Sequence, residues 1–111
     1  TPKRVLEPEV ARLINDILAD NNARAPIFGY SSPMYFENYK VSAKTGTTQN
    51  YQDGWIVGYT SSIVAGVWAG NNNNSPMYRE PGIVVAGPIW RAFFEKALLK
   101  YSETPTFNLP Q

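Results

Sequence analysis

The stretch that decides the fold runs from Val41 to Trp68, VSAKTGTTQNYQDGWIVGYTSSIVAGVW. At its start, Lys40 to Thr48 alternates roughly with a period of two, as a strand does. Asn50 to Gly54 is rich in turn formers and contains the hairpin dipeptide Asp53-Gly54. Trp55 to Tyr59 reads as a second strand and Thr60-Ser61 as a tight connection. Ser62 to Gly70 reads as a third strand, rich in Val, Ile and Trp. Links this short favour antiparallel neighbours, so a three-stranded meander is predicted. In the third strand Ile63, Ala65 and Val67 share one face, and Val64 and Trp68 the other. Apolar on both faces, that strand should be covered on both sides.

Both flanks of the meander carry helices. Glu7-Pro8-Glu9 marks a helix start, with proline in the first turn and acids at the positive end of the dipole. Val10, Leu13, Ile14, Ile17 and Leu18 follow as one apolar stripe, ended by Asp20-Asn21-Asn22. Residues 21–39 show no clean period and read as an ordered, aromatic-rich loop, of a length that is often functional. Beyond the meander, Asn71 to Gly82 reads as a polar loop and Ile83 to Ala86 as a short extended piece. Gly87-Pro88 then opens a helix with the stripe Ile89, Trp90, Phe93, Phe94, Ala97 and Leu98. Lys96 and Lys100 sit near its C-terminal end, where the dipole favours cations. Residues 102–111 lose periodicity and read as a tail or linker. The expected class is α+β: a three-stranded antiparallel sheet with an N-terminal and a C-terminal helix packed on it. Apolar residues on the second sheet face lack an obvious partner. That points to missing structure and to self-association of the isolated piece.

Composition removes several classes of function. The 111 residues hold 10 Lys+Arg against 9 Asp+Glu, so no electrostatic footprint for nucleic acid or anionic membrane results. With no Cys and no His, the chain supplies no disulfide, Cys/His metal site, Cys nucleophile or Ser-His-Asp triad. Its nearly apolar runs, Ile63 to Gly70 and Gly82 to Trp90, are far shorter than the ~20 residues of a membrane span. No signal peptide is expected at its start.

Lys44-Thr45-Gly46, continued by Thr47-Thr48, is the sharpest local signal. Set on a strand, beside a hairpin turn and before two apolar strands and a closing helix, it resembles the K-T-G motif of penicillin-binding proteins and β-lactamases. The run from Val41 to Trp68 is similar to class A (bifunctional) penicillin-binding proteins, and so is Ala86-Gly87-Pro88-Ile89-Trp90. The opening segment from Val5 to Gly29, VLEPEVARLINDILADNNARAPIFG, resembles the helix and loop upstream of that strand. The resemblance covers nearly the whole chain, about residues 4–101. It implies that residues 1–101 are the C-terminal portion of a transpeptidase domain, with 102–111 outside it.

The resemblance also assigns roles. A strand edge lets a peptide add as a further strand, and Gly46 leaves room for the ligand backbone. Thr45 and Thr47 share a face, and their hydroxyls could hold the carboxylate of a D-Ala-D-Ala stem peptide or of a β-lactam. Lys44 adds positive charge and can steer a proton relay, although strict alternation puts it on the opposite face from Thr45. The Thr47 N–H is implied as an oxyanion donor. Lys44 and Thr47 are therefore the candidate catalytic residues; Thr45, Gly46, Thr47 and Thr48 the candidate substrate-binding ones. No metal or cofactor is implied.

Other motifs of the family are absent. Three residues before Lys40, Lys44, Lys96 and Lys100 stand Glu37, Val41, Phe93 and Ala97, so no S-x-x-K exists, and no Ser precedes an Asn by two. The nucleophile is expected in another part of the domain, and this chain alone should be inactive. The implied partners are cell-wall peptide, β-lactams and the rest of that domain, on the outer side of the cytoplasmic membrane. A non-catalytic module of the same fold and a β-lactamase-like hydrolase remain as alternatives. Trp55, Tyr59 and Trp68 read as core, Gln49 to Tyr51 as turn, and Arg24 as a solvated side chain.

Overall fold

A computed structural model describes residues 1–78 and 81–101. The elements are α1 (Pro8–Ala19), α2 (Asn21–Phe28), β1 (Ser42–Thr47), β2 (Asp53–Tyr59), β3 (Val64–Gly70), α3 (Gly82–Val85) and α4 (Gly87–Tyr101). The strands form one antiparallel sheet in the order β1-β2-β3, with Lys44 opposite Val57 and Ile56 opposite Val67. The class is α+β with a three-stranded antiparallel sheet, as the alternation and short links predict. The tail predicted from Ser102 onward lies outside the described residues. Among the described residues no helix is long and apolar enough to cross a membrane.

The core lies between one sheet face and α4. Trp90, Phe94 and Leu98, four residues apart, are buried, and Ile56 is fully buried beneath them. Ile89 and Phe93 of the predicted stripe are exposed instead. Each lies about 100° around the helix from its buried neighbour, and a three-stranded sheet meets only one narrow row. The Trp90 indole stacks on Phe94 at 4.6 Å, meets the Phe36 ring edge-on at 5.8 Å, and donates from Nε1 to the Ala65 carbonyl at 3.1 Å.

This seat requires Gly58. A Cβ at that position would fall inside the Trp90 ring, against Cζ2, with Cη2 also only 3.1 Å away. Because three separate contacts hold the ring, it cannot step aside. Gly58→Ala is therefore expected to destabilise the chain by about 3 kcal/mol, the upper end of ordinary overpacking costs. A urea-denaturation midpoint equal to that of the unmodified chain would show that Trp90 moves freely.

Two predicted elements are corrected on the same face. Ile83 to Ala86 is not extended: Gly82–Val85 is the short helix α3, with Val84 N–H bonded to the Pro81 carbonyl at 2.9 Å and Ala86 N–H to that of Gly82 at 2.9 Å. It can lie on the strands because Gly82 has no Cβ; one would collide with the Gly46 carbonyl and the Trp55 backbone. Asp53-Gly54 is not the turn but the start of β2, where Gly54 faces Val85 of α3 with no room for a side chain.

The N-terminal segment differs most. Residues 21–28, predicted as loop, form α2. Asp20 ends α1 and caps α2, its Oδ1 accepting from Ala23 N–H at 3.0 Å. No residue of α1 is buried, and Ile17 is 61% exposed, so the apolar stripe is not its docking face. α1 instead docks through polar groups. The Asn15 carbonyl accepts from Ser42 Oγ at 2.6 Å, and Asn15 Oδ1 from Tyr59 Oη at 2.7 Å. Asp16 pairs with Lys40 at 2.6 Å. Ser42 and Tyr59 alternate out of phase with Ile56, so α1 meets the sheet from the face opposite α4. Among the described residues the rest of that face is uncovered. Val64 is 72% exposed, and the cross-strand pair Trp55 and Trp68 is exposed as well, so β3 is covered on one side only.

Candidate functional site: the open edge of the first strand

Among the described residues β1 has β2 on one side and no strand on the other. Which backbone groups face outward follows from one hydrogen bond. Thr48 N–H donates to the Asp53 carbonyl at 3.0 Å, so pairs with that parity bond to β2. Gly46, Lys44 and Ser42 therefore pair inward, while the N–H and C=O groups of Ala43, Thr45 and Thr47 face the open edge. The Lys44 side chain leaves from the bare face and bends back, its Nζ donating to the Thr45 carbonyl at 2.8 Å. The long stem does curl around, and an ammonium lies at the edge.

The predicted residues separate by role in the geometry. Lys44 and Thr45 line a cavity of about 240 Å³ at this edge, closed by Ile17 and Leu18 of α1, Phe28 of α2 and Met34. Gly46 is beside them in the strand; a Cβ there would make only ordinary contact, 3.7 Å from Trp55 Cβ. Thr47 and Thr48 are outside the cavity. Thr47 Oγ1 accepts from Gly82 N–H at 2.7 Å, which ties the end of β1 to α3. The Thr48 hydroxyl donates to Asp53 Oδ2 at 2.9 Å and accepts from Asp53 N–H at 2.9 Å.

Arg24 shares the cavity wall and was not expected there. Rather than being solvated, its Nε bonds Asn21 Oδ1 at 3.1 Å, Nη1 the Leu18 carbonyl at 3.0 Å and Nη2 the Met34 carbonyl at 2.9 Å. Burial lowers its pKa from the ordinary value, and the charge of Asp20 works the other way. The edge thus has two cations, Arg24 and Lys44, against one carboxylate, Asp20. Spacing carried a signal: an Asp cap followed by Arg at the fourth position outlines a short helix even without an apolar period.

The turn after β1 is unusual. Gln49–Tyr51 makes one 3-10 turn, in which Asn50 and Tyr51 both have left-handed backbone angles, φ 59° and 55°. For side chains with a Cβ each such residue costs on the order of 1 kcal/mol, so the surroundings must impose the shape. Met77 N–H bonds the Tyr51 carbonyl at 2.8 Å from one side, and the Asp53 carboxylate holds Thr48 from the other. Asp53 Oδ1 also accepts from Trp68 Nε1 at 2.8 Å. Among the described residues no three acidic side chains converge to hold a metal ion.

No family model matches the chain. Individual curated proteins do. Penicillin-binding protein 1A of Mycobacterium tuberculosis is 36% identical over 107 residues, covering 84% of this chain and 13% of that protein. Penicillin-binding protein 1A of Pseudomonas aeruginosa is 31% identical over 97 residues, covering 86% of this chain and 11% of that protein. Penicillin-binding protein 1A of Aquifex aeolicus is 38% identical over 71 residues, covering 63% of this chain and 10% of that protein. The chain thus spans about a tenth of the length of the curated relatives it matches.

Proposed function

Since the chain belongs to the class A penicillin-binding proteins and corresponds to a fragment of their transpeptidase region, we propose that it carries the substrate strand of a peptidoglycan D,D-transpeptidase. The observation that carries this reading is the bare edge of β1. It presents outward N–H groups at Thr45 and Thr47 with the Lys44 ammonium beside them.

A stem peptide ending in D-Ala-D-Ala lies antiparallel to β1 and extends the sheet by one strand. Its terminal carboxylate draws the Lys44 ammonium off the Thr45 carbonyl and accepts from the Thr45 hydroxyl. Gly46 leaves the approach clear. The Thr47 N–H points at the carbonyl oxygen of the bond to be cut and is one donor of the oxyanion hole. A serine supplied by another part of the domain attacks that carbonyl. The C–N bond breaks, D-alanine leaves with the proton, and an ester joins the serine to the shortened peptide. The amine of a second stem peptide then attacks the ester, forms the cross-link and returns the serine. A β-lactam opens on the same serine, and its carboxylate takes the same place. This chemistry belongs outside the cytoplasmic membrane, where peptidoglycan is.

Incubation with a penicillin followed by intact-mass spectrometry tests the reading. The full-length protein containing this chain is expected to gain the mass of one penicillin, and the 111-residue chain none. The same mass for both before and after treatment would replace the transpeptidase with a non-catalytic module of the same fold. An adduct released within minutes would indicate a hydrolase.

A further inference from the structure

We propose that Asp53 is a positioning residue for the ligand-facing end of β1, acting through Thr48 and Trp68; the inference rests on the transpeptidase reading above. One carboxylate joins all three strands at a single point. Its Oδ2 accepts from Thr48, the residue after the last of β1; its own backbone opens β2; its Oδ1 accepts from Trp68 of β3. Thr48 is held a second time, its hydroxyl accepting from Asp53 N–H. The adjacent residue is Thr47, whose N–H faces the open edge.

The need for such a clasp lies in the turn. Asn50 and Tyr51 are both left-handed, a shape that relaxes toward ordinary backbone angles unless its ends are fixed. Relaxation would pass into Thr48 and the Thr47 backbone. Among the described residues no strand pairs with β1 on its outer side, and Gly82 holds Thr47 by its hydroxyl rather than its N–H. An oxyanion donor must stand within a few tenths of an ångström of its place, and small misplacements slow reactions strongly. Asp53 touches no ligand in this arrangement. It acts by keeping a neighbouring N–H aimed.

The test uses the full-length protein and a fluorescent penicillin, reading the second-order acylation constant alongside the melting temperature. Asp53→Asn keeps one acceptor oxygen in place of two, so it cannot accept from Thr48 and Trp68 together. It is expected to slow acylation by about tenfold to a hundredfold while the melting temperature stays close to that of the unmodified protein. Thr48→Val should match it, Thr48→Ser should restore the rate, and Trp68→Phe should give a smaller loss. Should Asp53→Asn fail to fold, the Thr48 pair decides. An unchanged rate in Asp53→Asn, a Thr48→Ser as slow as Thr48→Val, or losses that merely follow melting temperature would each overturn the inference. If the unmodified protein is not acylated at all, the transpeptidase reading fails and takes this inference with it.

Discussion

Replacing Trp90 with Ala is expected to cost about 3–5 kcal/mol, the range for truncating a large buried aromatic side chain. Three losses combine at this position. The side chain is fully buried and leaves a cavity between α4 and the sheet. Its stacking on Phe94 and edge contact with Phe36 disappear, as does the bond from Nε1 to the Ala65 carbonyl. Gly58 beneath it offers no side chain to fill the space. Even whole domains are stable by only about 5–15 kcal/mol, so this change is large on that scale. Chemical denaturation followed by far-ultraviolet circular dichroism measures it. A loss below about 1 kcal/mol, the size of a typical point mutation, would mean that the core is held elsewhere.

On the proposed function, Thr47→Pro is expected to reduce β-lactam acylation of the full-length protein by about a hundredfold to a thousandfold, the usual cost of deleting one oxyanion donor. The change takes away the N–H at the open edge and no bond to β2, since Thr47 pairs outward. Proline is tolerated on an edge strand, and the preceding Gly46 accepts the restriction proline imposes. It also deletes the hydroxyl that accepts from Gly82 N–H, so Thr47→Val is the required control. Valine loses the hydroxyl and keeps the N–H. The difference between the two variants isolates the backbone donor. Equal acylation by both would remove Thr47 N–H from the reaction.

The meander was legible because period-two alternation and links of a few residues leave few other arrangements. The bounds of β2 were not, since Asp53-Gly54 is a common hairpin dipeptide and only packing against Val85 shows why the glycine is in the strand. α2 lacks an apolar period and contains Pro26. It is held by the Asp20 cap and by the three carbonyl and amide acceptors of Arg24, which no periodicity records. The α1 stripe identified a helix but misassigned its contact face, because docking uses Asn15 and Asp16. Within the site, the triplet Lys44-Thr45-Gly46 marked the strand. The outward direction of the Thr47 N–H depends on parity set by the Thr48–Asp53 bond, and the left-handed pair at Asn50 and Tyr51 has no glycine to announce it.

The placement of the three indoles gives the molecule two separate optical reporters. Trp90 is shut away from water, whereas Trp55 and Trp68 stand side by side on the bare sheet face. Fluorescence from Trp90 should be blue-shifted and shielded from acrylamide, and it follows the integrity of the core. Emission from the outer pair should be red-shifted and quenchable, and it follows whatever comes to lie on that face. Anything that docks on that face is thus observable without a label, and distinguishable from folding.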